Sequence, residues 1–159
     1  GTTGIQSLDL IARKVPMNNM EGYLATISEM NKTIVIAKEI EGLNEFSSEL
    51  ENAVNTLNST TESVLKAMST KKIDLALANS VSYLSMFGHV IIAWLWLKQG
   101  IVASNALAEQ PHQDDENFYQ GKLQALQYFY RIELPQVAVW QKVLVNTDST
   151  SFDMQAEWF

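Results

Sequence analysis

Cysteine is absent from this 159-residue sequence, which removes disulfides, thiol nucleophiles and thiolate metal sites while leaving the redox compartment open. Basic residues are scarce. Eleven Lys and Arg stand against 18 Asp and Glu, a formal net charge of -7, and no basic cluster offsets that sign, which argues against a broad electrostatic partnership with nucleic acid. There is no glycine-rich phosphate loop and no Gly-x-Ser-x-Gly elbow. Sustained alternation of apolar and polar residues, the mark of a half-buried strand, is missing as well.

What is present is a chain of one ordinary domain's length, 47% hydrophobic, long enough to bury most of its apolar surface. Its organising stretch is Leu75–Leu97, which carries no fixed charge and ends Val90-Ile91-Ile92-Ala93-Trp94-Leu95-Trp96-Leu97. A helix apolar on nearly every face is buried in protein or in lipid. The length suits a bilayer. However, Asn79, Ser80, Ser82, Ser85 and His89 interrupt the run, and Lys71, Lys72, Asp74 and Lys98 give no one-sided basic flank; both features favour a buried central helix, reaching about Ala108, over a membrane span.

The segments around it are amphipathic. Thr3 and Gln6 have the spacing of a capping box, and Ile5, Leu8, Ile11 and Ala12 fall on one face of a short helix that Val15-Pro16 ends. Met20, Tyr23, Leu24, Ile27, Met30, Ile34, Ala37 and Ile40 predict a second helix ending near Gly42. Leu43, Phe46, Leu50, Ala53, Val54, Leu57, Val64, Leu65 and Met68 predict a third, antiparallel to it across a short turn. Glu39, Glu41, Glu45, Glu49, Glu51 and Glu62 form the solvated faces of this pair.

Ser69–Lys72 is the next connection. After the central helix, Gln110–Gln113 reads as a loop, and Asp114, Asp115 and Glu116 suit the first turn of another helix. Its aromatic stripe, including Phe118, Tyr119, Phe129 and Tyr130, reads as packing. Leu134-Pro135 breaks that helix, apolar residues continue to about Val145, and Asn146–Ser151 is turn-rich. The tail from Phe152 ends in Trp158-Phe159, which suggests docking onto the body. The fold class expected is all-α: an antiparallel four-helix bundle with a short N-terminal helix and a C-terminal tail.

Candidate chemistry is thin. A dimetal bundle needs Glu-x-x-His pairs, and only Glu109 and His112 match, with Pro111 between them disturbing the helical geometry. His112 with Asp114 and Asp115 reads as a loop followed by a helix start, so no metal site is expected. His89, inside the central helix, reads as a hydrogen-bonded core histidine, with no nucleophile at a telling spacing to make it a base. The sharpest local signal is Gly1-Thr2-Thr3-Gly4-Ile5-Gln6, two hydroxyls and a flexible backbone at the positive end of a helix, suited to a phosphate or a cofactor edge.

Gly1-Thr2-Thr3-Gly4-Ile5-Gln6-Ser7-Leu8-Asp9-Leu10-Ile11-Ala12-Arg13-Lys14-Val15 resembles the segment that follows the Tyr-Glu dipeptide in the Tyr-Glu-Gly-Thr-x-x-Ile-Gln motif of acyl-CoA dehydrogenases. Tyr83–Gly88, Trp94–Leu97, Phe118–Leu123, Phe129-Tyr130 and Leu134-Pro135 resemble the additional C-terminal helical domain of the long bacterial subgroup that includes 3-methylmercaptopropionyl-CoA dehydrogenase. The resemblance implies an FAD enzyme of fatty acid metabolism in which a glutamate removes the pro-R α-proton of an acyl-CoA thioester and the β-hydride passes to the flavin. That glutamate precedes the motif glycine, so the base is expected one residue upstream of Gly1 and no catalytic residue is expected in this chain.

By the same match Gly1 would lie beside the substrate thioester, and Thr2, Thr3 and Gly4 would line the FAD. Residues 1–15 would be the end of the catalytic helical domain and residues 16–159 the additional helical-bundle domain. The chain is then expected to be a cytoplasmic fragment, inactive and without retained FAD. Its expected partners are the remainder of the same polypeptide and a homo-oligomeric mate; the acyl-CoA substrate and an electron acceptor belong to the complete enzyme. The rival reading is a stand-alone helical protein-interaction module.

Overall fold

Proline interrupts the helical pattern at two matching places, and both are met in the same way. The chain opens with α1 (Thr3–Asp9), whose last residues widen into a π-helical turn over Leu10–Lys14, where Val15 N–H donates to Leu10 O at 2.9 Å. Pro16 follows. In the second half α6 (Gln113–Tyr128) widens over Phe129–Glu133, where Leu134 N–H donates to Phe129 O at 2.9 Å, and Pro135 leads into α7 (Gln136–Val145). A proline lacks the N–H and pushes against the carbonyl four residues back; an i→i−5 turn just before it relieves that clash.

Between these lie α2 (Met17–Lys38), α3 (Asn44–Ser69), the short α4 (Ile73–Leu77) and the long α5 (Ser80–Ala108). The computed structural model describes residues 1–70 and 73–158; Lys71, Lys72 and Phe159 fall outside the described residues, which takes in part of the expected Ser69–Lys72 connection. Among the described residues there is no strand, and the chain is an all-α bundle as its periodicity predicts.

Four long rods make up the bundle: α2, α3, α5 and the α6–α7 unit. Gly42, at φ +84, turns the chain between α2 and α3 in a conformation glycine adopts without strain. The two hairpins lie side by side. Tyr23 of α2 stacks near Phe87, while Thr33 further along receives the Trp94 indole N–H at 2.7 Å, so α2 and α5 run in the same direction. Helix α5 touches α1, α2, α3, α6 and α7 and is the central element. One core runs through the whole set, from Ile11 and Val15 through Met30, Leu50 and Leu57 to Val90, Leu97, Leu126 and Leu144.

Several expectations are corrected. Helix α5 is not buried all round: Tyr83, Met86, Val90, Ala93, Leu97 and Ala103 face the core, whereas Val81, Ile92, Leu95 and Val102 form an exposed stripe. By length and composition alone α5 could cross a membrane, with a third of its most apolar window buried inside the fold. The helix also starts later than the uncharged run, because a turn at Ala78-Asn79 separates α4 from it.

Helix α1 is rotated from its expected face. Ile11 of the expected face is buried, but its companions inward are Ser7 and Val15, while Ile5, Leu8 and Ala12 stay exposed. The cause is a buried hydrogen bond between the Ser7 and Ser80 hydroxyls at 3.0 Å, which fixes the rotation. The expected Thr3–Gln6 capping box does not form, since Thr2 is the N-cap and makes no side-chain capping bond. In the tail, Phe152, Met154 and Trp158 are exposed rather than docked. The preceding turn is the tethered part, with Asn79 donating its side-chain N–H to Asp148 O at 2.8 Å.

Candidate functional site

The four motif residues are consecutive and open to solvent at the free end of α1. Ser7 Oγ donates to Gly4 O at 2.8 Å and meets Ser80, which ties this end to the start of α5. A side chain built at Gly1 or Gly4 would meet nothing within 4 Å. Nothing inside this chain therefore asks either position to be glycine. Further along, both carboxylate oxygens of Asp9 accept from Arg13, with Nη2 at 2.9 Å, and the Arg13 hydrogen bond holds the Asp9 carboxyl below its usual range.

The two histidines are committed elsewhere. His89 Nδ1–H donates to Ser85 O at 3.0 Å, its ring packs edge-on against Trp140 with centroids 4.6 Å apart, and Nε2 lies 3.8 Å from Glu133. The hydrogen bond is the one its position predicts, but His89 is half-buried at the seam with Trp140 and Glu133 rather than in the core. His112 caps α6 by accepting the Asp114 N–H at 3.4 Å. Glu109 belongs to the end of α5, and Gln110 at φ +55 reverses the chain before His112, so the two do not share a helical turn. Among the described residues no group of three His, Asp or Glu side chains is placed to hold a metal.

Two clefts escape sequence reasoning because each joins residues far apart in the chain. One, about 400 Å³, lies between α3 and the π-turn before α7, with Glu49, Asn52 and Thr56 facing Arg131 and Pro135. Burial pushes the Glu49 carboxyl above its usual range, nearby Glu45 adds to this, and Arg131 opposes it. The other, about 380 Å³, lies between α5 and α6 and is lined by Lys98, Gln99, Val102, Ala103, Phe118, Tyr119 and Lys122. Phe118 departs from the packing expected of its stripe, being 59% exposed. The signal was a pair of lysines embedded in aromatic sequence, legible only once α5 and α6 are laid together.

The fold is an all-helical bundle, a class that comparison with known proteins narrows. The family described as "Acetyl-CoA dehydrogenase C-terminal like" matches residues 26–155, and the chain belongs to that family. It is 28% identical over 158 residues to a butyryl-CoA dehydrogenase of Syntrophomonas wolfei, a match covering 99% of this chain and 26% of that protein. Over 80 residues it is 30% identical to the broad-specificity linear acyl-CoA dehydrogenase FadE5 of Mycobacterium tuberculosis, covering 50% of this chain and 13% of that one. The chain thus spans about a quarter or less of the length of these curated relatives.

Proposed function

We propose that this chain is the C-terminal part of an FAD-dependent acyl-CoA dehydrogenase of the long bacterial subgroup that includes 3-methylmercaptopropionyl-CoA dehydrogenase. The observation that carries the reading is a match along 99% of the chain to 26% of a butyryl-CoA dehydrogenase. In this reading the complete enzyme is a cytoplasmic protein of fatty acid metabolism that dehydrogenates an acyl-CoA between its α and β carbons and passes electrons to a separate acceptor. Residues 1–15 close its catalytic helical domain and residues 16–159 form the additional bundle. The glutamate base precedes Gly1 and is not part of this chain, which by itself is catalytically inactive and retains no FAD.

The motif residues suit one edge of such a site. Thr2 is exposed and its hydroxyl is not spent on the helix cap, and the glycines leave open backbone where a ligand can approach closely. Gly1 would contact the substrate thioester; Thr2, Thr3 and Gly4 would hold the FAD together with residues outside this chain. The flavin, when bound, supplies the hydride acceptor. The exposed Ile5 and Leu8 of α1 give the catalytic body, or a second subunit, an apolar face to cover.

The test is to read the gene upstream of Gly1 and to purify its complete product. Tyr-Glu immediately upstream, with a yellow protein whose flavin bleaches on adding butyryl-CoA, supports the reading. A different residue in the glutamate's place, or a colourless product, overturns it.

A further inference from the structure

The protein is acidic, yet the groove between α5 and α6 has two lysines and no carboxylate in its lining. Between α5 and α6, Lys98 and Lys122 line the same cleft of about 380 Å³, within the size range of small-molecule sites. Arg13, Lys14, Lys32, Lys38 and Arg131 are each paired with an acid. Lys98 and Lys122 are not among these pairs; they sit on aromatic rings instead. Lys98 Nζ is 5.1 Å from the Trp94 ring, and Lys122 Nζ is 5.7 Å from Trp96 and 5.2 Å from Phe118.

These rings restrain the ammonium groups without neutralising them, because a cation–π contact leaves the full positive charge available. Trp94 is itself anchored by its 2.7 Å hydrogen bond to Thr33. The third feature is Phe118, 59% exposed and braced edge-on by Tyr119 with centroids 5.5 Å apart. Phe118 is left in water with the Lys122 ammonium over its ring, and Lys98 lines the same groove; an aromatic ring that can stack beside ammonium groups that can hold an anion is the pairing that recognises a base and its phosphate. Gln99 adds an amide in the same groove. Asp114 and Asp115, about a turn before Phe118 on α6, are not part of the lining.

We propose that the α5–α6 groove binds a nucleotide anion, with Lys98 and Lys122 on the phosphate and Phe118 against the base. The chemistry is that of ADP, which with a further 3′-phosphate is the nucleotide end of coenzyme A. For coenzyme A as the physiological source, the proposal rests on the dehydrogenase reading above; the groove itself does not depend on it.

The experiment is calorimetric titration of the 159-residue chain, whose core is its own, with ADP, coenzyme A and inorganic phosphate at low salt. ADP and coenzyme A should both bind, and more tightly than phosphate. A Lys98→Gln/Lys122→Gln double variant should weaken both, with added salt acting in the same direction. Phe118→Ala should weaken ADP about tenfold while leaving phosphate unchanged. Both variants change exposed or half-exposed side chains, and an unchanged thermal midpoint verifies their fold.

Equal affinity for ADP and coenzyme A assigns recognition to the shared nucleotide; a large preference for coenzyme A makes acyl-CoA the natural source. Absence of ADP and coenzyme A binding at millimolar concentration, binding that survives the lysine substitutions, or phosphate binding as well as ADP overturns the proposal. Any of these results leaves the flavin-bleaching test untouched, since that test reads a different part of the polypeptide.

Discussion

Tyr83 has no path to water, and its hydroxyl is satisfied inside the bundle by Thr61 at 2.8 Å, while Thr61 also donates to Leu57 O and meets Tyr23. Removing one hydroxyl from such a set costs about 1 kcal/mol, because the partners keep other bonds. Tyr83→Phe should therefore lower unfolding free energy by about 1 kcal/mol in urea, with part of that loss shared with Thr61→Val in a double-mutant cycle. Burial pushes the Tyr83 phenol upward, and Tyr130 likewise. A raised folded-state value means stability is fully present below the unfolded value near 10 and is lost as pH rises past it. Tyr83→Phe should flatten that alkaline loss.

Glu49 follows the same sign from the acid side. Burial in its cleft raises its carboxyl, so the fold prefers the protonated form, and stability is lost as pH climbs through the folded value. Glu49→Gln imitates the protonated state. It should melt higher than the parent at pH 7, with the difference closing below pH about 4, where the carboxyl is protonated folded or unfolded. A variant that melts lower at pH 7 would mean that the attraction of Arg131 outweighs burial.

At the scale of elements, α5 carries two glycines with opposite prospects. A Cβ at Gly88 meets nothing within 4 Å, whereas one at Gly100 would lie 2.5 Å from Leu126 Cδ1, itself fully buried. Gly88→Ala should stabilise by about 1 kcal/mol through helix propensity alone. Gly100→Val should destabilise by about 1–3 kcal/mol by overpacking the α5–α6 contact. Both are read by thermal melts. The long helices were legible because three-and-four spacing of Met30, Ile34 and Ala37, or of Leu50, Ala53, Val54 and Leu57, matches the faces that are buried. The details inside elements were not. Asn18, Asn19 and Met20 turn left-handed at φ 50, 56 and 64, which two asparagines tolerate but do not announce. The rotation of α1 turns on a serine pair 73 residues apart, and the Lys98–Lys122 groove on a packing register that no local pattern encodes.

For the whole molecule, α1 and its π-turn, which the proposal above gives to the catalytic domain, share their buried side chains with this bundle. Gly1–Gly4 are exposed at the start of α1, so the proposed role of these residues rests on the sequence motif and not on any enclosure around it. Packing argues for membership: Ile11 is 0% and Val15 3% exposed within the same core as Leu57 and Val90. Deleting residues 1–15 removes both from the core, which should cost about 3–6 kcal/mol at the value of a buried aliphatic side chain, and it leaves the Ser80 hydroxyl without Ser7. The shortened chain should melt well below the parent, in one transition, by circular dichroism. An unchanged midpoint would show that the first helix is held chiefly by surfaces outside this chain, and that the bundle is complete from residue 16 onward.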